Sequence, residues 1–458
     1  MLSCDKLIEK KQREFTAMKE QKKKHLFTNR QLAALLIPLA LDQLLNSFMG
    51  TVDTLIVSNI GSAAISAVSL VDAINILVVE AFLALAAGGT VVCSQYLGNK
   101  DVEKANKAAG QLVFVTFFLS LLMAVICIAF HEPILRAIFG KVEKEVMDNA
   151  KIYFLFSAVA FPFIALYDDG ASILRAQENS RLPMQISIIA NVLNVVLNLL
   201  FVWGFHLGVG GSACATMLAR AFAMAAVLYE LRKPKWTVHL KSYFSIRPDW
   251  DQIRRILKIG IPSGIENSMF QFGKLAIQST VSMMGTAAIA AQGMTNTLEN
   301  LNGIMAIGVG IGLMTVVGEC MGAGRQDEAI YYVKKLSIIG EVVVIASCLF
   351  IFALVRPITY FGGMEQGSAS MCIFKPIVWT LAFIPAYGFR AAGDVRFSMV
   401  VSILSMWIFR VSLVMVLVRV FEMGPIAVWI GMFTDWTVRA IVFSVRVKNR
   451  KWLEHQVI

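Results

Sequence analysis

GSAAISA at Gly61–Ala67 and GTAAIAA at Gly285–Ala291 are one phrase written twice, 224 residues apart. Working outward, the same shift holds. Pro38 falls on Pro262, and Gly98 in LGNKDVEKA (97–105) falls on Gly322 in MGAGRQDEA (321–329). Three landmarks spread over about 60 residues keep one register without a gap. The chain is therefore read as two copies of one unit placed end to end. Internal duplication of this kind builds a site between two halves in many membrane carriers.

Composition sets the class. Hydrophobic residues are 57% of the chain, charged residues 16%, and mean hydropathy is +0.67. A soluble domain carries about 25% charged residues. Many apolar stretches of about 20 residues are each long enough to cross a bilayer. In a soluble protein the net charge of +11 would point to nucleic acid. Here it belongs to loops and tails, where it sets topology, and no nucleic-acid partner is expected. The seven cysteines form no CxxC pair. Cys93, Cys127, Cys214, Cys320 and Cys348 sit in apolar segments and read as small packing residues. The first 27 residues or so are polar and basic, so no cleavable signal peptide is expected.

The expected fold is all-α and integral to the membrane: twelve transmembrane helices in two six-helix bundles. The spans run near 31–58, 63–97, 106–130, 150–172, 183–203, 209–231, 254–283, 287–318, 331–355, 371–392, 395–420 and 424–446. Pro38 and Pro262 lie near the start of the first span of each half and invite a kink. Nine Lys/Arg precede residue 31 and eight lie between Arg232 and Lys258, whereas the loops at 59–62, 204–208 and 284–286 hold none. That alternation places both termini in the cytoplasm. Six spans per half give both halves one orientation, so a pseudo-two-fold axis should run along the membrane normal. The domains expected are a basic tail (1–30), a first lobe (31–231), a polar linker (232–253) tethering two bundles that rock against each other, a second lobe (254–446) and a C-terminal tail (447–458). The tail cations, among them Lys6, Lys10 and Lys22, read as a solvated topology anchor able to touch anionic lipid.

Charged and amide groups inside spans are costly and need a reason. Asp53 lies in the first span. Asn191, Asn194 and Asn198 in the fifth are spaced three and four apart, on one helical face. Ser212 and Thr216 are one turn apart in the sixth. One carboxylate with several amides and hydroxyls suits a coupling ion, H⁺ or Na⁺. The competing reading is that the asparagines hold helices together by hydrogen bonds. Asp42 and Glu266 are equated by the repeat, and Glu266 is expected, with Lys274, among the residues of the substrate cleft. Asp72, Asn75 and Glu80, with Asn296 and Glu299 in the eighth span, are expected to line a cleft and attract organic cations. Lys274 stands where the first half has Gly50 and would neutralise an acid or face an anionic substrate. Asp435 and Arg439, four apart, read as a structural pair beside Arg410. P-loop, HExxH and GxSxG motifs are absent, so an enzyme is not expected and energy should come from an ion gradient, with no cofactor.

The chain also resembles the multidrug and toxic compound extrusion (MATE) transporters over about residues 30–446. The resemblance rests on IPLALDQLLNSFMGTVDTLIVSNIGSAAISAVS (37–69), SQYLGNKDVEKA (94–105), LRAQENSRLPMQISIIANVLNVVLNLLFVWG (174–204), GVGGSACATMLAR (208–220), KIGIPSGIENSMFQFGKLAIQ (258–278) and GFRAAGDVRFSM (388–399), in that order. It implies twelve helices around a V-shaped cleft and an antiporter of the cell membrane, acting as a monomer, that exports organic cations or drugs against H⁺ or Na⁺ by rocker-switch alternating access. The DinF-like branch implies an ion site at Asp53, Asn194, Asn198, Ser212 and Thr216, with Na⁺ at Asp53, Asn194, Asn198 and Thr216. This chain departs at Asn198, where cation-binding members carry Asp. The NorM-like branch implies acids near Phe270 and Trp379, and none is there. Two further readings are a flippase for lipid-linked precursors, which calls for a basic cleft and extra spans, and a metabolite carrier of either direction.

Overall fold

In the computed structural model, residues 25–140, 142–243, 246–282, 286–362, 375–424, 426–455 and 457–458 are described, without the side chains of 51, 286–301, 351–362 and 375–377. The basic tail before His25 lies outside the described residues. Twelve long helices account for most of the rest: α1 (Asn29–Ser58), α2 (Ser62–Gly98), α3 (Val102–Ala129), α4 (Lys144–Ala176), α5 (Arg181–Gly204), α6 (Gly208–Leu231), α7 (Trp250–Ser282), α8 (Thr286–Gly322), α9 (Gln326–Gly362), α10 (Lys375–Ala392), α11 (Val395–Arg419) and α12 (Ile426–Lys448). Among the described residues, nine helical stretches are long and apolar enough to cross a bilayer, α8 by its stretch Asn302–Gly322; α7, described throughout, is not one of them. In α7 the reason is its polar load, which includes Arg254, Arg255, Lys258, Glu266 and Lys274.

The faces are turned inside out relative to a soluble protein. Helix α5 buries Asn191, Asn194 and Asn198 and exposes Ile189, Val192 and Val196. Helix α3 exposes Phe117, Phe118, Leu121, Leu122 and Val125. Such surfaces are stable against lipid, not water.

The repeat in the sequence is a repeat in space. Ser62 and Thr286 start α2 and α8, Gly98 and Gly322 end them, and Val102 and Gln326 start α3 and α9, all at the shift of 224. Helices α1–α6 pack as one lobe and α7–α12 as the other. The lobes meet through α1 with α8, α2 with α7, and α2 with α8. At the centre, a Cβ on Gly98 would lie 2.2 Å from the Glu319 carbonyl oxygen, and one on Gly322 would lie 1.9 Å from that of Gln95. Gln95 and Glu319 are themselves repeat equivalents, so α2 and α8 cross reciprocally about the pseudo-two-fold axis. Beside the crossing, Gly308 of α8 fits against the backbone of Ala40 in α1, and its counterpart contact sets Gly264 of α7 against Ala84 of α2.

The linker reads differently from a slack tether. Val238 and Leu240 are buried. Gln177 receives the Val238 N–H at 2.8 Å, Asn106 that of His239 at 2.8 Å, and Gln111 that of Asp249 at 3.0 Å. Lys107 hydrogen-bonds Asp249 and holds its carboxyl below the usual range. The described linker is thus pinned to the first lobe. The C-terminal tail also folds back: Trp452 is fully buried against Phe389, and Arg255 donates to the Val457 carbonyl at 2.7 Å. Between α3 and α4 lies a short helix, His131–Phe139, anchored by buried Leu135.

A methyl group at the crossing has nowhere to go without moving backbone. Gly322→Ala is expected to cost about 1–3 kcal/mol, seen as a lower thermal midpoint of the detergent-purified protein. Gly50→Ala, with nothing within 4 Å of its Cβ, is the control and should not lower it.

Candidate functional site

Two polar regions lie within the apolar lobes. The first is a seam between α1 and α5. The Asp53 carboxylate, half-buried, accepts from Asn198 Nδ2 at 3.2 Å and from Asn194 Nδ2 at 3.3 Å. Asn198 Nδ2 also reaches Asn194 Oδ1 at 2.5 Å. The 3–4 spacing of the asparagines produces this ladder, since each turn of α5 presents one amide to α1. Along the seam, Asn191 Nδ2 donates to Asn46 Oδ1 at 3.1 Å, Ser187 Oγ donates to the same oxygen at 3.2 Å, and Asn46 Nδ2 donates to Asp42 Oδ1 at 3.2 Å. Asn46, which the sequence reading missed, links Asp42 to the ladder. Asn198 Oδ1 is buried with no donor. An orphaned acceptor beside a carboxylate is a place where a cation or a proton-bearing group gains energy. Ser212 is buried and Thr216 half-buried on α6. The described hydrogen bonds do not join either to Asp53.

The second region is a cavity of ≈ 570 Å³ between the lobes. Its charged lining is Asp42, Glu80, Asp168, Arg175 and Arg220 from the first lobe and Glu266, Lys274, Arg390 and Arg439 from the second. Of the cleft residues expected, Glu80, Glu266 and Lys274 are there. Asp72 and Asn75 are not among the lining residues. Asn75 Nδ2 donates to Asp72 Oδ1 at 3.3 Å and to Ser157 Oγ on α4 at 3.2 Å, so this part of α2 faces its own lobe. The side chains of Asn296 and Glu299 lie outside the described residues.

The cavity acids come with cationic partners. Arg390 Nη2 lies 3.0 Å from Glu266 Oε2, and Arg175 Nη2 lies 3.9 Å from Asp42 Oδ2. These pairs are repeat equivalents: the 224 shift equates Asp42 with Glu266, and LRAQENSRLPM (174–184) laid on FRAAGDVRFSM (389–399) equates Arg175 with Arg390. Glu80 Oε2 accepts from Asn267 Nδ2 at 2.9 Å across the lobe boundary. Arg220 lies one turn beyond Thr216 on α6 and lines the cavity. Arg175 and Arg220 entered the sequence analysis only inside the quoted stretches 174–204 and 208–220, and the signal available was their helical spacing from Asp168 and from Thr216.

Behind the cavity, Asp435 is fully buried. It accepts from Ser405 Oγ at 2.6 Å and Arg439 Nε at 2.8 Å, with Arg410 Nη1 at 3.8 Å. The expected structural pair is present and ties α11 to α12. Asp435→Asn would leave two arginines without their carboxylate in a dry interior. A loss of about 3–5 kcal/mol is expected, read as loss of monodisperse protein or a sharply lower melting temperature, while Thr437→Ala on the exposed face should be neutral.

Comparison with known proteins agrees with this fold. The MatE family model matches residues 38–200 and 262–416, one stretch in each half. The probable multidrug resistance protein NorM of Thermotoga maritima is 24% identical over 448 residues, 94% of this chain and 94% of that protein. The uncharacterized transporter YisQ of Bacillus subtilis is 25% identical over 438 residues, 92% of this chain and 95% of that protein. A solved outward-facing conformation of a multidrug resistance MATE family transporter of the MOP superfamily has a TM-score of 0.85 at 19% identity, over 92% of this chain and 96% of that chain. Likeness at that identity carries the fold.

Proposed function

The chain belongs to the MatE family of multidrug efflux transporters, which are not enzymes, and we propose that it is a secondary antiporter coupling entry of H⁺ or Na⁺ at Asp53 to export of small organic molecules from the central cavity. The observation that carries this reading is the Asp53 carboxylate, inside a span and held by the amides of Asn194 and Asn198, on the seam whose other end reaches the cavity residue Asp42 through Asn46. Nothing about packing requires a carboxylate there, and an unneeded charge inside a span is selected against by its cost.

The cycle follows from the charges. With Asp53 ionised, its oxygens are held by two amides and its field pulls on Arg220. Loading the site with H⁺ or Na⁺ cancels that field and frees Arg220 to act on Asp168 and the cavity. Coupling requires only that the loaded ion prefer one arrangement of the lobes. One positive charge entering down 100 mV supplies about 2.3 kcal/mol. Na⁺ would use oxygens of Asp53, Asn194, Asn198 and Thr216, the Asn198 oxygen already being without a donor. The lobes are joined on the linker side, which the distribution of cations assigns to the cytoplasm along with both termini. This conformation therefore faces outward. The carboxylates Asp42, Glu80 and Asp168 receive the cationic group of a substrate, and one chain supplies the whole cavity, so the monomer suffices. A lipid-precursor flippase fits less well, because that cargo calls for spans beyond the twelve long helices described here.

Proteoliposomes preloaded with a fluorescent organic cation and given a defined H⁺ or Na⁺ gradient test this. Gradient-driven export by the wild type and its loss in Asp53→Asn are expected. Export that survives the substitution would remove Asp53 from coupling. Asn198→Asp, which adds the second carboxylate, is expected to strengthen dependence on Na⁺; an unchanged ion dependence would place the ion elsewhere.

A further inference from the structure

The second lobe carries a groove on its outer surface that shares no lining residue with the central cavity. Its volume is ≈ 1110 Å³, and it lies where the first turns of α7 and α11 meet the C-terminal tail. The tail wall is fixed in place. Arg255 Nη1 donates to the Val457 carbonyl at 2.7 Å, and Gln326 Nε2 donates to that of Leu453 at 3.2 Å. Val457 is buried against Gly393, the residue just before α11, where a Cβ would lie 2.7 Å from Val457 Cγ2. The tail thus touches the starts of both helices, and the groove is part of the fold.

Four cations line it: Arg254, Arg255 and Lys258 from α7 and Arg396 from α11. Asp251 is the one acidic side chain among the described lining residues, and counting a main-chain carboxylate at Ile458 as well still leaves the lining net positive. Arg254, Lys258 and Arg396 are exposed, and among the described residues none of them has a hydrogen-bond or ion-pair partner. The acids nearby are already engaged, Asp249 with Lys107 and Asp394 with Arg446. Residues 1–24 hold eight Lys/Arg to four Asp/Glu in sequence, so that segment does not complement the groove.

Toward the membrane interior the surface turns apolar within one turn. Trp250, Arg254, Lys258, Ile261 and Ile265 follow at steps of four, four, three and four, so they share one face of α7, and all are exposed. On α11 exposed Arg396 is followed by exposed Val400 and Leu404 at steps of four. The two helices pack against each other. Their cationic ends therefore sit together, and two apolar ridges run on from them. Trp250 adds the amphipathic ring that settles at the level of lipid headgroups. A cation cluster at that level, continued by an apolar surface, matches a ligand with an anionic head and a hydrocarbon tail.

We propose that this groove binds an anionic phospholipid of the cytoplasmic leaflet, its phosphodiester against Arg254, Lys258 and Arg396 and its acyl chains along Ile261, Ile265, Val400 and Leu404. The leaflet follows from the orientation read from the cation distribution. The binding does not depend on coupling at Asp53, so loss of antiport would leave it standing.

Native mass spectrometry of the full-length protein in detergent tests it, with titration by phosphatidylglycerol or phosphatidylcholine of the same acyl chains. Both lipids carry a phosphodiester, but choline neutralises the second. Phosphatidylglycerol is expected to bind about tenfold more tightly, a preference that shrinks as ionic strength rises. The combined substitution Arg254→Gln, Lys258→Gln and Arg396→Gln, all at exposed positions, should abolish the preference. Lys241→Gln, Arg247→Gln and Lys448→Gln together remove the same charge from exposed positions outside the groove and should keep it. Equal binding of the two lipids by the wild type, a preference that survives the groove substitutions, or an equal loss in the control would overturn the proposal. Complete displacement of phosphatidylglycerol by inorganic phosphate at the same concentration would also overturn it, because the acyl chains would then contribute nothing.

Discussion

Two glycines on a pseudo-two-fold axis govern the architecture. At Gly98 and Gly322 the backbones of α2 and α8 approach so closely that neither position has room for a Cβ. Membrane helices gain little from the hydrophobic effect against one another, so close backbone packing at small residues is a main source of their affinity. Once this crossing is made, the rest of the inter-lobe contact is set by symmetry. Ala40 meets Gly308 on one side of the axis, and Ala84 meets Gly264 on the other. Gln95 Nε2 donates to the Ala391 carbonyl at 2.7 Å, Gln252 Nε2 to the Tyr96 hydroxyl at 2.9 Å, and Thr315 Oγ1 to the Arg175 carbonyl at 3.3 Å. These bonds close the linker side, and the cavity is the space left between the lobes beyond them.

A dry interior then dictates how charge is carried. Groups that water would solvate must find partners in protein. The structure meets that demand at two sites with cationic partners: Asp435 among Ser405 and two arginines, and Glu266 with Arg390. Asp53 is handled differently, with neutral amides as its direct partners and Arg220 acting from farther away. Amides hold a carboxylate in place without cancelling its charge, which leaves that charge available to be neutralised by an arriving ion. The proposed coupling at Asp53 and the structural pairing at Asp435 are thus opposite solutions to one physical problem.

Much of this was legible from sequence because periodicity and repetition are one-dimensional signals. The duplication predicted that α2 and α8 would begin and end in register. The spacing of Asn191, Asn194 and Asn198 predicted a single buried face, and Asp53 was its natural partner. Spacing states which residues share a face but not which neighbour that face meets. Asp72 and Asn75 therefore turned out to face α4 rather than line the cavity, and Arg175 went unrecognised as the partner of Asp42. The linker and C-terminal tail read as polar by composition, yet a few apolar residues, Val238, Leu240 and Trp452, are enough to dock them.

The two halves share a skeleton but have diverged in chemistry. The crossing glycines and the ion pairs Asp42–Arg175 and Glu266–Arg390 recur in both lobes, and both fifth helices carry a π-helical segment, at Leu199–Gly204 and Ser405–Ser412. The repeat counterpart of Asp53, however, is Ile277, buried in an apolar cluster, and α11 contains no asparagine at all. Conversely Lys274 occupies the place of Gly50. One lobe has kept or acquired a carboxylate ladder, and the other a face of cations and aromatic rings. With the proposed coupling at Asp53, loading the ion in the first lobe alters the field across a cavity whose charged lining comes from both lobes. That change in field is the physical quantity through which an ion gradient would act on a charged substrate.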